Sequence, residues 1–128
     1  KKIKDAASGG EMSRIMLSIK SIMAKYKKLP SIIFDEIDTG VSGEISKKMG
    51  LIMKDLGSKI QTFSITHIPQ IAAMGESHFM IYKKDIDGYT KTLISRLNDN
   101  ERIVEIAKML EGNNASESAY THAKQLLN

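Results

Sequence analysis

The chain has 128 residues and is 41% hydrophobic, which is enough for one domain, or one lobe of a domain, with a buried core. It contains no cysteine, which excludes a disulfide scaffold, a cysteine nucleophile and a cysteine-ligated zinc site and predicts a reducing, cytoplasmic setting. No apolar run approaches the ~20 residues that span a bilayer, so no membrane partner is expected, and a net charge of +4 permits contact with DNA without requiring it.

The first predicted element is a helix that begins at Ser8 and ends before Leu29 and Pro30. Its apolar residues recur at helical spacing and predict one buried face. That face consists of Met12, Ile15, Met16, Ile19, Ile22, Met23 and Tyr26. The following residues, 31–34, form a short apolar run, which is the pattern of a strand covered on both faces in a parallel sheet.

A second helix is predicted to begin at Ser42 or Gly43 and to end at Gly57, and a second strand covers residues 60–66. The apolar stripe of this helix comprises Ile45, Met49, Ile52, Met53 and Leu56. The order strand, helix, strand predicts a right-handed parallel crossover, which brings the carboxyl ends of both strands to one edge of the sheet. Ligands bind at this edge in open α/β sheets.

The remaining residues predict a hairpin and two helices. Strands over 77–84 and 90–97 flank the turn pair Asp87-Gly88, and helices are expected over 101–110 and 116–127. The whole chain, residues 1–128, therefore predicts an α/β lobe in which parallel strands flanked by helices are followed by a β-hairpin and two carboxy-terminal helices.

The start of the first helix carries the first chemical signal. Ser8 and Glu11 are spaced as a capping box, in which both side chains bond amides of the first helical turn. That interpretation does not explain Gly9 or Gly10, since each glycine costs up to ~1 kcal/mol of helix propensity relative to alanine. Bare amides at a helix amino terminus form an anion site, because the positive end of the helix dipole faces the ligand. Residues 8–11 therefore predict phosphate recognition.

Acidic residues follow the first strand, and a histidine follows the second. Asp35, Glu36 and Asp38 lie within four positions directly after the apolar run, which indicates a nearby cation, and His67 directly follows the second strand. Because both strands end at one sheet edge, the pair Asp35-Glu36 and His67 can converge on one phosphate. The other histidines are interpreted as structural, and no two histidines have metal-ligand spacing.

These segments occur in the order found in ABC-type ATPase heads: a signature sequence at 8–14, a Walker B strand and its loop at 34–43, and a histidine segment at 66–73. Their amino-acid sequences resemble those of the RecN family of bacterial DNA repair proteins, which are related to SMC-class ATPases, and the resemblance extends over nearly the whole chain. No Gly-x-x-x-x-Gly-Lys-[Ser/Thr] phosphate loop occurs. The chain, which opens on Lys1, is therefore predicted to be the carboxy-terminal lobe of a P-loop NTPase head, cut from a longer protein.

The resemblance implies ATP and Mg²⁺ as cofactors and assigns the site residues. Asp35 would orient Mg²⁺ through water, and Glu36 would polarise the attacking water as general base. His67 would contact the γ-phosphate, and Asp38 would lie in the D-loop that passes between protomers. The signature residues, which would bind a nucleotide held by the opposite protomer, are Ser8, Gly9, Gly10 and Glu11.

The resemblance also implies partners: the protein's own amino-terminal Walker A lobe, a second copy joined through ATP-sandwiched heads, and DNA at double-strand breaks, with a nucleoid-associated location in the cytoplasm. The full-length protein would be an ATPase, whereas this chain alone would be inactive. One alternative is the nucleotide-binding subunit of an ABC transporter, although transporters usually carry Gln where Glu11 stands. Another is a non-catalytic dimerisation or DNA-docking module, which the intact Glu36 argues against. The sequence predicts no chemistry for Arg14 or Arg102.

Overall fold

The computed structural model describes residues 9–128. The chain falls into two compact units, of which the first ends at Met74 and the second comprises Gly75–Asn128. Among the helices within residues 9–128, none combines the length and the apolar character needed to cross a membrane.

The described part of the first unit has the element order α1 (Gly9–Tyr26), β1 (Ser31–Asp35), α2 (Gly43–Gly57), β2 (Gln61–Ile65) and α3 (Pro69–Ala72). The two strands pair in parallel along their whole length, as predicted. The short α3 was not predicted. It begins with a proline, whose fixed φ suits the first position of a helix and whose missing N–H is not needed there.

One face of the two-stranded sheet forms the core of the first unit. Phe34 of β1 is completely buried in this core. The other buried members are Leu17, Met49, Met53, Leu56 and Ile71. Full burial of such a side chain stabilises the fold by about 1.5–3 kcal/mol, so this cluster fixes the strands and helices that carry the loops after β1 and β2. In the predicted stripe of α2, Ile52 is an exception because it is 45% exposed.

Helix α1 buries the face opposite to the one that its apolar spacing predicts. The buried positions are Ser13, Leu17, Ser21 and Ala24, whereas Ile22 is 66% exposed. The predicted burial of the apolar stripe is therefore wrong for this chain. Spacing identifies an apolar face but does not identify the element that covers it. Within its own unit, α1 instead buries a face made mostly of small side chains.

The sheet is covered on one face only. Ile33 of β1 and Phe63 of β2 lie opposite one another in register, and they are 59% and 50% exposed. The prediction of a strand covered on both faces is thus wrong for the described residues. Parallel strands are normally covered on both faces, whereas this apolar face of β1 and β2 is exposed in the described part of the chain.

The second unit contains the predicted hairpin and helices, namely β3 (Phe79–Ile86), β4 (Tyr89–Arg96), α4 (Asp99–Glu111) and α5 (Glu117–Leu127). The strands pair antiparallel, and the two turn residues, Asp87 and Gly88, have φ values of 53° and 78°. Positive φ at both central positions is the geometry of the type I′ turn that an Asp-Gly pair predicts. A capping box formed by Asn98 and Glu101 begins α4.

Arg102 of α4 anchors the start of the second unit. Its guanidinium donates hydrogen bonds to the backbone carbonyl oxygens of Gly75, at 2.7 Å, and Glu76, at 3.4 Å. His78 lies nearby and is partly buried. Burial and, to a smaller extent, the positive charge of Arg102 lower the pKa of His78, while Glu105 opposes that change.

We expect the free energy of unfolding of the second unit to decrease as the pH falls below about 6.5, the ordinary pKa of histidine. Because the pKa of His78 is lowered in the folded chain, the unfolded chain binds its proton first, and stability is lost as the pH falls through the folded pKa. His78→Gln should flatten this dependence. Urea unfolding followed by amide hydrogen exchange in α4 and β3 would measure it, with His122→Gln at an exposed histidine as the control. An unchanged slope in His78→Gln would contradict the assignment.

Candidate functional site

Strands β1 and β2 bring the acidic and histidine segments to one edge of the sheet. Asp35 is the last residue of β1 and lies opposite Ile65, the last residue of β2. The N–H of Glu36 donates a hydrogen bond of 3.0 Å to the carbonyl oxygen of Ile65 and so extends the pairing by one residue. β1 is followed by the Glu36 loop, residues 36–42, and β2 is followed by the His67 loop, residues 66–68. The structure therefore brings these predicted site residues to a common edge.

Glu36 has an unusual backbone conformation. Its φ is 45°, in the left-handed region that residues other than glycine seldom adopt, and the Thr39 hydroxyl supports it by donating a hydrogen bond of 2.9 Å to its carbonyl oxygen. Strained backbone of this kind is concentrated at functional positions. The side chains of Asp35 and Glu36 are exposed, so both carboxylates are accessible to a ligand.

The carboxylates suit Mg²⁺ only in combination with other ligands. Within residues 9–128, no group of three or more His, Cys, Asp or Glu side chains could hold a metal ion. Magnesium retains several waters and is commonly bound by one or two carboxylates together with substrate phosphates. The exposed pair Asp35-Glu36 fits that pattern, because it provides hard oxygen ligands and leaves the remaining positions to water and a nucleotide.

The two glycines at the start of α1 have different surroundings. A Cβ added at Gly9 would meet no atom of residues 9–128 within 4 Å, whereas a Cβ at Gly10 would lie 3.1 Å from the carbonyl oxygen of Gly40. As far as the described residues show, Gly9 therefore leaves open space at the helix amino terminus, and Gly10 is required by close packing against the loop after β1. Glu11 is exposed in the first turn, and Ser8 lies outside the described residues.

Ser13 is a residue of this site that the sequence reasoning missed. Its buried hydroxyl lies 3.0 Å from the carbonyl oxygen of Gly9 and 3.2 Å from that of Thr39, and it can donate to either. Together with Gly10, it joins the amino terminus of α1 to the loop after β1. A serine four residues after a helix start is a common back-bonding pattern, but nothing in the sequence identifies its second acceptor.

The Asp38 side chain lies inside the chain. It is only 1% exposed, and one carboxylate oxygen, Oδ2, accepts a hydrogen bond from the hydroxyl of Thr66. That the backbone of Asp38 lies in a loop between protomers stays a prediction. The Asp38 side chain, by contrast, connects the loops that follow β1 and β2. His67 is exposed and is accessible at the same sheet edge.

The chain is similar to bacterial DNA repair proteins over nearly its whole length. It is 41% identical to the DNA repair protein RecN of Halalkalibacterium halodurans over 127 residues, which cover 99% of this chain and 22% of that protein. The identity to RecN of Bacillus subtilis is 42% with the same coverage, and that to RecN of Vibrio cholerae is 39% over 98% of this chain and 23% of the relative. The chain thus spans about a fifth of the length of the curated relatives it matches. No family model matches it.

A solved structure has the same fold. It comes from work described as the structural biochemistry of ATP-driven dimerization and DNA stimulated activation of SMC ATPases. The TM-score is 0.66 at 22% sequence identity, and the match covers 86% of this chain and 66% of the solved one. The chain therefore has the α/β fold of an SMC ATPase structure, and its sequence is RecN-like from end to end.

Proposed function

We propose that this chain is the carboxy-terminal lobe of an ATPase head in a RecN-like protein of the SMC class, which binds and hydrolyses ATP in the repair of DNA double-strand breaks by recombination. The observation that carries the proposal is the common sheet edge shared by Glu36 and His67, reached by the backbone hydrogen bond between Glu36 and Ile65. The relatives, all DNA repair proteins by name, favour this role over that of a transporter subunit. Such a protein would act in the cytoplasm, at the nucleoid.

In this proposal, the residues at the sheet edge act on the nucleotide from one side. Glu36 accepts a proton from the attacking water. Its exposed carboxylate suits this role, because the Thr39 hydroxyl supports the strained backbone of Glu36 by a hydrogen bond. Asp35 holds Mg²⁺, which when bound neutralises charge on the phosphate oxygens. His67 donates a hydrogen bond to the terminal phosphate.

The amino terminus of α1 would act on a nucleotide held by a second copy of the protein. Ser8, the amides of Gly9 and Gly10, and Glu11 form the proposed contact. The open space at Gly9 supports this role because a phosphate can approach the helix amides there without displacing any described atom. Two heads would then enclose ATP between them, and their closing and opening would be coupled to DNA.

A separate amino-terminal lobe would cover the open face of the sheet. The exposed Ile33 and Phe63 support this part of the proposal, since an apolar face of parallel strands exposed to water is unfavourable by about 25 cal/mol per Å². The chain spans only about a fifth of the length of its relatives. A protein as long as those relatives has ample further polypeptide to form such a lobe. That lobe would also supply the phosphate loop and its lysine.

We expect the 128-residue chain alone to hydrolyse ATP negligibly, because its sequence contains no Gly-x-x-x-x-Gly-Lys-[Ser/Thr] phosphate loop with its lysine. Phosphate release from the pure chain, measured with and without a co-expressed amino-terminal lobe of the same protein, would test this. Turnover should appear only when both lobes are present. Turnover by the chain alone that disappears in Glu36→Gln would show that no second lobe is needed.

A further inference from the structure

A partly buried hydrogen-bonded connection links the loops that follow β1 and β2. Oδ2 of Asp38 accepts a hydrogen bond from the Thr66 hydroxyl, and the oxygen of that hydroxyl accepts a hydrogen bond of 2.9 Å from the N–H of Ile68. These contacts involve the residues on both sides of His67. The Thr66 hydroxyl therefore restrains the backbone of His67 from before and after it.

Each end of this connection is fixed to a rigid part of the first unit. Ile68 precedes α3, and its carbonyl oxygen accepts hydrogen bonds from the N–H groups of Ile71, at 3.1 Å, and Ala72, at 3.0 Å. Ile71 belongs to the buried core. On the other side, Asp38 is two residues beyond Glu36, whose N–H is bonded to the end of β2. The connection thus joins the Glu36 loop to the His67 loop independently of the sheet.

Stability alone does not account for a carboxylate at this position. Asp38 is 1% exposed, and its second oxygen, Oδ1, is buried without a hydrogen-bond partner among the described residues. Burying an acceptor without a donor costs about 1–3 kcal/mol, and more when the group is charged. A bond to a charged acceptor is shorter and stronger than one between neutral groups, which suits a carboxylate that must hold a loop in one position.

We propose that Asp38 and Thr66 are positioning residues that hold His67 at the sheet edge in the orientation needed for ATP hydrolysis. This inference rests on the proposed function. It assigns the Asp38 side chain to its own chain rather than to a contact across the protomer boundary, and it gives Thr66 a role that the sequence reasoning did not predict. Neither residue needs to touch the nucleotide.

The test uses three variants of the full-length protein. Thr66→Val keeps the shape of the side chain and removes its hydroxyl, and it should lower kcat about tenfold to a hundredfold, as misplacement of a reacting group does, with little change in the KM for ATP. Thr66→Ser restores the hydroxyl and should return kcat to near its original value. Thr62→Val is the matched control, because it removes a hydroxyl from β2 that donates a hydrogen bond to the Ile60 carbonyl oxygen and, among the described residues, to no other group, and kcat should not change.

A double-variant experiment separates this inference from the proposed function. In protein that already carries His67→Ala, the change Thr66→Val should lower kcat no further, since Thr66 acts through His67. An equal further loss in both backgrounds would overturn the positioning role and leave the proposed function intact. Unchanged kcat in His67→Ala would contradict the proposed role of His67 itself. Should Thr66→Val not fold, Thr66→Ala in the same two backgrounds decides between these results.

Discussion

Replacing Glu36 by glutamine is expected to lower ATP turnover by a factor on the order of 10²–10⁴, the usual contribution of a general base, while ATP still binds. The amide keeps the volume of the side chain but cannot accept the proton of the attacking water. Because the carboxylate is exposed at the end of β1, its replacement leaves the core untouched. ATP should therefore accumulate between paired heads of the full-length protein, which light scattering would detect as a long-lived dimer.

A matched control for Glu36→Gln is Glu44→Gln in the first turn of α2. Glu44 is exposed and forms a 3.0 Å ion pair with Lys48, and pairs of this kind contribute little to stability. The ATP turnover of Glu44→Gln should match that of the unmodified protein. Turnover close to normal in Glu36→Gln, with ATP bound to the same extent, would assign the general base to another residue.

Replacing Gly9 by aspartate is expected to abolish ATP-dependent pairing of the heads without loss of stability. No described atom lies within 4 Å of a Cβ at this position, and an acidic residue in the first turn of a helix is favourable by about 0.3–1 kcal/mol. The same negative charge would repel a phosphate that approaches the helix amides. Activity and stability should thus change in opposite directions, a pattern that damage to the fold cannot produce.

Gly43→Asp is the control for this change. Gly43 is also the first residue of a helix, α2, and the nearest side-chain atom to an added Cβ is Nε2 of Gln70 at 3.7 Å. The two variants carry the same charge at equivalent helix positions. Thermal unfolding and ATP-dependent light scattering measured on both should show that only Gly9→Asp prevents pairing. Equal loss in Gly43→Asp would mean that added negative charge, rather than the phosphate contact, is responsible.

Local patterns were sufficient to predict the strands and the longer helices of the described residues, but not the short α3. The strand, helix, strand order gave the parallel pairing of β1 and β2, and Asp87-Gly88 gave the hairpin. The face of α1 was predicted incorrectly because apolar spacing identifies an apolar face but does not show that the described residues cover it. The exposed Ile22 and Ile33 have the same explanation.

The candidate site was predictable in its residue types and less so in its contacts. The positions of Asp35, Glu36 and His67 followed from the rule that parallel strands end at one sheet edge. The bond between Asp38 and Thr66 joins residues 28 positions apart, and no local pattern encodes such a pair. Arg102 is a similar case, because its acceptors lie 26 and 27 residues away in sequence.

In the proposed ATPase, each ATP site combines Glu36 of one head with the α1 amino terminus of another. Mixing full-length Glu36→Gln protein with an excess of full-length Gly9→Asp protein tests it most directly, with steady-state phosphate release as the measurement. In a mixed pair, one site would carry both changes and the other neither, so turnover should return although each variant alone is inactive. If mixed pairs form and no turnover returns, either each site takes both residues from one chain or the two sites must act together, and the model in which one intact shared site is sufficient is wrong.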